Sequence, residues 1–475
     1  MARKNFFFVF FHSLIVFAII LLLSTPEKVD LGFQKVCFYL YIISLFLYFY
    51  LVKGSGNLLC FNNIFIFGYS IVFFQVVVLQ HFGYYMPAPA YNKYWDDSKI
   101  ENLAVIVSVI ALMFYMIGNI YSQLRVRGDV NSKEETYSIF FLVVVAYVSY
   151  ILFFLTSGSY RSGVYYATDT LAGNAYFFKL FNVSLTAAIV VKLTFIYNNY
   201  KHLTLLKYIS SFGLPLLLLS GWHILFSLYV GDRGVIISYL LLFSSLYFYK
   251  FKKISLVELV SVLVCASILM TAIGQVRKSK DYVTQLETVI SGDSGNSRWY
   301  NESVPGSGFI ELAHSGRTLN HALNEVPSEY DYRYGIYALK RIAGIFPGAQ
   351  GVLNKVIDDN DNKYLATSGF ISYLIQGDNP QYSDGTSITA DIYLDFGVAG
   401  VFILMMLFGY FIGKTESNLL MPSLSTISIT WVAFLIYYSK SLYLSRSSIF
   451  LELSNVILVL FFLYINKCFL KYFKS

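Results

Sequence analysis

Glu311, His314, Arg317 and His321 lie in "GFIELAHSGRTLNHALNEVP", between Pro305 and Pro327. Their offsets of i, i+3, i+6 and i+10 set them along one side of a helix running from about Phe309 to Glu325. A carboxylate, two imidazoles and a guanidinium on one stripe can take a proton from a hydroxyl and hold a phosphorylated leaving group. Arg317 and His314 are the stronger members. A solvated helix face is the competing reading of the same stripe.

A second set of cations sits elsewhere. In "LYVGDRGVII", residues 228 to 237, Asp232 is placed to cap a helix beginning near Gly234. Arg233 then falls on the unfavourable side of the helix dipole, so the dipole does not explain it. Gly231 and Gly234 permit close backbone approach. A helix N-terminus, glycines and a guanidinium together suit a phosphate or pyrophosphate, against the alternative of a surface Asp-Arg pair. In "EYDYRYGIYALKRIAGIFPG", Ile336, Leu339, Ile342 and Phe346 share one face and Arg333, Lys340 and Arg341 the other, the pattern of a helix lying in a membrane interface. Arg277, beside Lys278 and Lys280, is a further phosphate candidate, although cations at a helix C-terminus are favourable unaided. Asp391 and Asp395, at i and i+4 in "TADIYLDFGVAG", could touch an acceptor hydroxyl, as could His321, but carboxylates opening a helix are explained by capping alone. "DDND", residues 358 to 361, lacks the ligand spacing of an EF-hand and reads as a solvated turn, so no metal is expected.

Membrane helices must position these groups. The chain of 475 residues is 56% hydrophobic and only 13% charged, with 43 Phe and 41 Tyr, which excludes a soluble globular enzyme. Twelve apolar runs can be counted, at about 6–23, 36–52, 62–79, 103–120, 137–155, 176–197, 209–229, 235–250, 256–274, 392–413, 425–443 and 449–466, each roughly long enough to span a bilayer. The first follows Arg3 and Lys4 but is too long for a signal peptide and reads as a retained helix. Lys53, Arg125, Arg127, Lys201, Lys207, Lys250, Lys414 and Lys467 fall on one side of this layout. By the positive-inside rule both termini are cytoplasmic. The polar stretch 275–391 then faces outward, between helices 1–9 in residues 1–274 and helices 10–12 in residues 392–475. Formal net charge of +7 reflects these loops and not a nucleic-acid surface. The four cysteines, Cys37, Cys60, Cys265 and Cys468, lie in or beside apolar runs and suggest no disulfide framework. Of ionisable groups at span centres, His223 and Lys192 are the clearest, too few for a transmembrane proton relay, and no repeated halves of the transporter kind are evident.

"ELAHSGRTL", "VPSEYDYRYG", "IFPG" and "TSITADIYLDFGVAG", with the upstream "GDRG", give the region from about 205 to 415 a pattern that resembles the Wzy-type O-antigen polysaccharide polymerases, or oligosaccharide repeat unit polymerases. The resemblance implies an all-α, polytopic glycosyltransferase of GT-C type in a bacterial inner membrane, with its site on the periplasmic side and no metal or other cofactor. Such an enzyme moves a growing glycan from undecaprenyl pyrophosphate to the next lipid-linked repeat unit, and a chain-length regulator is a partner to expect. By the same resemblance Arg233 matches the arginine of a small-residue-Arg-Gly motif. Arg233 and Arg317, helped by Arg277 or Arg341, would hold the pyrophosphate, and His314 or Glu311 would take the acceptor proton. The rivals are an O-antigen ligase delivering glycan to lipid A core, a flippase or transporter of the same lipid-linked sugars, and a membrane scaffold.

Overall fold

The structure, a computed structural model, describes residues 2–52, 57–84, 99–123, 138–162, 174–255, 257–259, 261, 309–357, 361–380, 382–419 and 423–472. Among them every regular element is helical. The helices used below are α1 (Ala2–Leu23), α2 (Leu31–Leu51), α3 (Phe61–His81), α4 (Ile100–Gln123), α5 (Phe140–Thr156), α6 (Asn174–Asn199), α7 (Leu214–Val230) and α8 (Arg233–Leu246). Beyond them come α9 (Arg317–Glu325), α10 (Ile336–Ala343), α11 (Thr367–Gln376), α12 (Ile388–Asn418), α13 (Ile429–Lys440) and α14 (Ile449–Tyr472).

Among the described residues 8 helices are long and apolar enough to cross a membrane: α1 to α4, α6, α8 with its π-helical extension to Phe251, α12 and α14. Two further apolar runs form the shorter helices α5 and α7. The run at 425–443 yields α13, only 12 residues long. It is buried along almost its whole length, and Leu444 and Ser445 in the turn beyond it are buried too. Non-helical backbone is tolerated at that depth when protein, not lipid, surrounds it. The ninth run, 256–274, lies almost wholly outside the described residues, as does Arg277.

The α4–α12 pair is the densest part of the bundle. A methyl group placed on Gly118 would sit 1.9 Å from the Met406 carbonyl oxygen, and one on Gly409 1.9 Å from that of Tyr115. Backbones are in contact there, the small-residue packing by which membrane helices associate when lipid removes the hydrophobic drive. Around this pair α2 and α1 pack on α4, α5 on α6, and α8 on α13. The Trp431 indole donates to the Thr194 hydroxyl at 2.8 Å, tying α13 to α6.

Residue 309 onward does not form a separate domain. The turn Ile310–Ala313 packs on α3, α9 on α4, α11 and α12, and α10 on α14. α12 makes this docking possible by breaking at Gly397, whose φ of 65° and ψ of −170° belong to a region essentially restricted to glycine. The break releases the Leu394 carbonyl, which accepts from the Arg333 backbone N–H at 2.9 Å. It also brings Tyr332 over the glycine, where a methyl group would meet the ring at 3.2 Å.

Candidate functional site

The stripe singled out in the sequence is not a solvated face. His314, Arg317 and His321 are all buried, against α3, α4 and α12. Local geometry departs from one continuous helix, because His314–Gly316 tightens into a 3-10 turn between two α-helical pieces. Gly316 lies flush on α3, with a methyl group there 2.4 Å from the Val72 carbonyl oxygen. Arg317 forms an ion pair with Asp384, both side chains being buried. Asp384 also accepts from Gln376 Nε2 at 2.5 Å, and its backbone N–H donates to Ser372 at 2.9 Å. Thr318 donates to Ser387 at 3.0 Å, so two successive residues of α9 fasten it to the segment entering α12. His321 is pushed down to about 3, first by burial and then by the nearby Arg317 charge, so the ring is neutral at physiological pH. The cavity beside this stripe, between α3, α4, Gly316 and Asn320, holds about 30 Å³, room for a water molecule. The backbone of Glu311 belongs to the same turn, and its side chain lies outside the described residues.

The second set of cations surrounds a far larger space. A cavity of about 400 Å³ opens between α6, α8, α13 and α14. Its charged lining is Lys179, Lys440 and Glu452; Asn182, Asn455, Ser238 and Tyr239 add neutral polar groups. These residues occupy the N-terminal parts of α6, α8 and α14 and the C-terminal part of α13, so the cavity lies at one end of the bundle. Lys440 Nζ donates to Ser238 Oγ at 3.0 Å, and Glu452 accepts from Asn455 Nδ2 at 2.9 Å. Arg341 lies within electrostatic reach of both Glu452 and Asp391. Lys179 Nζ donates to the Gly344 carbonyl at 2.8 Å, where α10 ends. One end of α10 is thereby pinned to the cavity.

Arg233 opens α8, whose residues Ser238, Tyr239 and Leu242 line the same space. Asp232 caps α8 as the sequence suggests, accepting from the N–H groups of Gly234 at 3.0 Å and Val235 at 3.3 Å. Val235, two residues beyond Arg233, lines the cavity. The two carboxylates at the start of α12 are buried and serve other elements. Ser387 caps α12. Asp395 accepts from the N–H groups of Tyr337 at 3.1 Å and Ala338 at 2.9 Å, capping α10. Asp391 accepts from Thr367 at 2.5 Å and bonds Ser448, which caps α14 through Phe450 N at 3.2 Å. These two residues therefore set where Arg341 stands.

The amphipathic helix is mounted with its polar side inward. Lys340 is fully buried and donates to the Tyr364 carbonyl at 2.8 Å, whereas Leu339 and Phe346 are exposed. Val352 and Val356 extend the exposed apolar surface. Its exposed side is thus apolar, and Lys340 faces the protein interior. A family model described as O-antigen polysaccharide polymerase Wzy matches residues 5–473, nearly the whole chain. The chain belongs to that family. Neither the curated proteins nor the solved structures gave a match.

As an O-antigen polymerase of the Wzy family it is a membrane-embedded glycosyltransferase that polymerises repeat units, with lipid-linked oligosaccharides as substrates. In this family member, the residues expected from sequence fall into two places. Arg317 and His321 of α9 are buried together with His314 of the preceding turn; Lys179, Lys440 and Glu452 line the cavity, Arg341 lies within electrostatic reach of Glu452, and Arg233 begins α8, one of the cavity's walls. Sequence reasoning missed Lys179, Lys440, Glu452 and Asp384. The first three are charges inside or at the ends of apolar runs, where Glu452 in particular looks like an ordinary first-turn carboxylate. Asp384 lies in a polar stretch with no period to mark it.

Proposed function

We propose that this family member transfers the growing glycan from undecaprenyl pyrophosphate to the next lipid-linked repeat unit, at the periplasmic face of a bacterial inner membrane. The observation that carries the reading is a cavity lined by Lys179 and Lys440, with Arg341 within electrostatic reach of its Glu452 and Arg233 at the start of α8, one of its walls. Held in place before reaction, the two guanidiniums meet charge as it develops on the departing pyrophosphate, which is where fixed cations accelerate transfer. The polyprenyl tails reach them laterally from the lipid. Arg317, already paired with Asp384, acts in this reading through position: it clamps α9 and the start of α12, whose Asp391 and Asp395 set α10 and Arg341. His314 and His321 support the same clamp, and Arg277, outside the described residues, remains a proposed phosphate ligand.

Deleting the gene and analysing the lipid-linked glycan tests the reading. A polymerase deletion leaves single repeat units on the lipid. Loss of a ligase leaves long polymer on undecaprenyl instead, and loss of a flippase leaves repeat units on the cytoplasmic side; either result overturns the assignment.

A further inference from the structure

The cavity contains a carboxylate that the phosphate-binding role of its cations does not use. Glu452 is 3% exposed, in the first turn of α14, and lines a space of about 400 Å³, within the roughly 300–1,000 Å³ of small-ligand sites. A buried ionisable group inside a membrane bundle is costly and marks function by default. Ion pairing offers a purely structural reason for it, since Lys440 and Arg341 are both within electrostatic reach. That reason is incomplete. A carboxylate needed only to neutralise cations is best packed directly against them, as Asp384 is against Arg317. Glu452 instead shares an open cavity with Lys440 and takes its 2.9 Å hydrogen bond from neutral Asn455.

The other groups around the space suit a sugar. Phe178 and Tyr239 supply aromatic rings, and Asn182, Asn455 and Ser238 supply polar atoms of the kind that bond hydroxyls. Asp384, by contrast, is already engaged by Arg317 and Gln376, and His314 is not among the residues that line this cavity.

Resting on the transfer reading above, we propose that Glu452 is a catalytic residue which accepts the proton of the acceptor sugar hydroxyl inside this cavity. As the acceptor oxygen bonds to the anomeric carbon of the donor, its O–H bond breaks and the proton moves to the Glu452 carboxylate. The bond from that carbon to the pyrophosphate oxygen breaks in the same process, and the electron pair leaves with the pyrophosphate, held by Arg233 and Arg341.

The experiment uses the full chain in lipid nanodiscs with undecaprenyl-pyrophosphate-linked repeat units. Wild-type protein must extend them; failure there sinks the transfer reading and leaves Glu452 aside. With wild-type active, Glu452→Gln is expected to lose about 10²–10⁴-fold in elongation rate while still binding the lipid-linked donor, the size of a lost general base. Glu452→Asp recovers part of the rate. Glu452→Ala, which leaves space beside the acceptor, is rescued by added formate. Elongation by Glu452→Gln at the wild-type rate overturns the proposal. So does a Glu452→Ala variant that binds donor with wild-type affinity and melts at the wild-type temperature, yet gains nothing from formate.

Discussion

Arg317 and Arg341 are both arginines of the same polar stretch, and the structure gives them opposite surroundings. Arg317 faces a carboxylate of its own, Asp384, which is itself bonded by Gln376 and Ser372, beside a cavity of about 30 Å³. Arg341 is within electrostatic reach of both Asp391 and Glu452, and Glu452 lines a cavity more than ten times larger, of about 400 Å³. A guanidinium with a dedicated, well-bonded partner and no adjoining space holds structure together. One that shares its carboxylates beside an open, cation-rich cavity is able to receive an anion. Residue type and spacing alone do not separate these two cases; the surrounding room does.

The sharpest way to break this comparison is to unpair the closed site. Arg317→Ala strands a buried Asp384 and should destabilise the protein by about 3–5 kcal/mol, read as a fall in melting temperature and membrane level. Replacing both partners, Arg317→Met with Asp384→Leu, should restore stability and with it polymer synthesis. A well-folded double variant that makes no polymer would return Arg317 to the chemistry. At the open site the expectation is reversed. Arg233→Ala or Arg341→Ala should leave the melting temperature near wild type while slowing elongation about 10²–10³-fold, the usual loss when one fixed donor to a developing anion is removed. Long-chain polymer at normal abundance in both variants would end the assignment of the cavity.

A smaller effect distinguishes the sites by pH. His321 is held down to about 3 by burial and Arg317, against an ordinary value of 6.5, so only the undocked state takes up a proton in the interval between. The docked loop is therefore fully stabilised above pH 6.5 and loses up to about 1.4 kcal/mol for each unit of acidification below it. Limited proteolysis between residues 309 and 387 should accelerate from pH 7 to pH 5, and His321→Gln should flatten that rise. Smallest of all, Asp232→Ala should cost about 1 kcal/mol through loss of the α8 cap, with Asp232→Asn close to neutral. Thermal unfolding of the two variants side by side provides the check.

The sequence made the membrane architecture legible because apolar length is a property of the chain itself. Eleven of the twelve runs coincide with helices, and the exception, 256–274, falls almost entirely outside the described residues. The Asp232 cap and the amphipathic character of α10 were legible for the same reason, being set within a few residues. What could not be read was which charges share a space. Lys179 comes from a helix far from α13 and α14 in the chain and meets Lys440 and Glu452 only because α6 packs against α14. Periodicity left the stripe at 311–321 open, since its pattern fits water on one side equally well, and the fit of Gly316 on α3 goes with burial of His314, Arg317 and His321.

Gly397 divides the longest of the described helices into two levers. Residues 388–396 carry Asp391 and Asp395 and are held by α10 and α11, while residues 398–418 lie along α4 with Gly409 against its backbone. A bilayer that thickens or thins works on the long lever by changing its tilt. With a joint in between, that torque is spent in turning about one residue, and the carboxylates that aim Arg341 keep their partners.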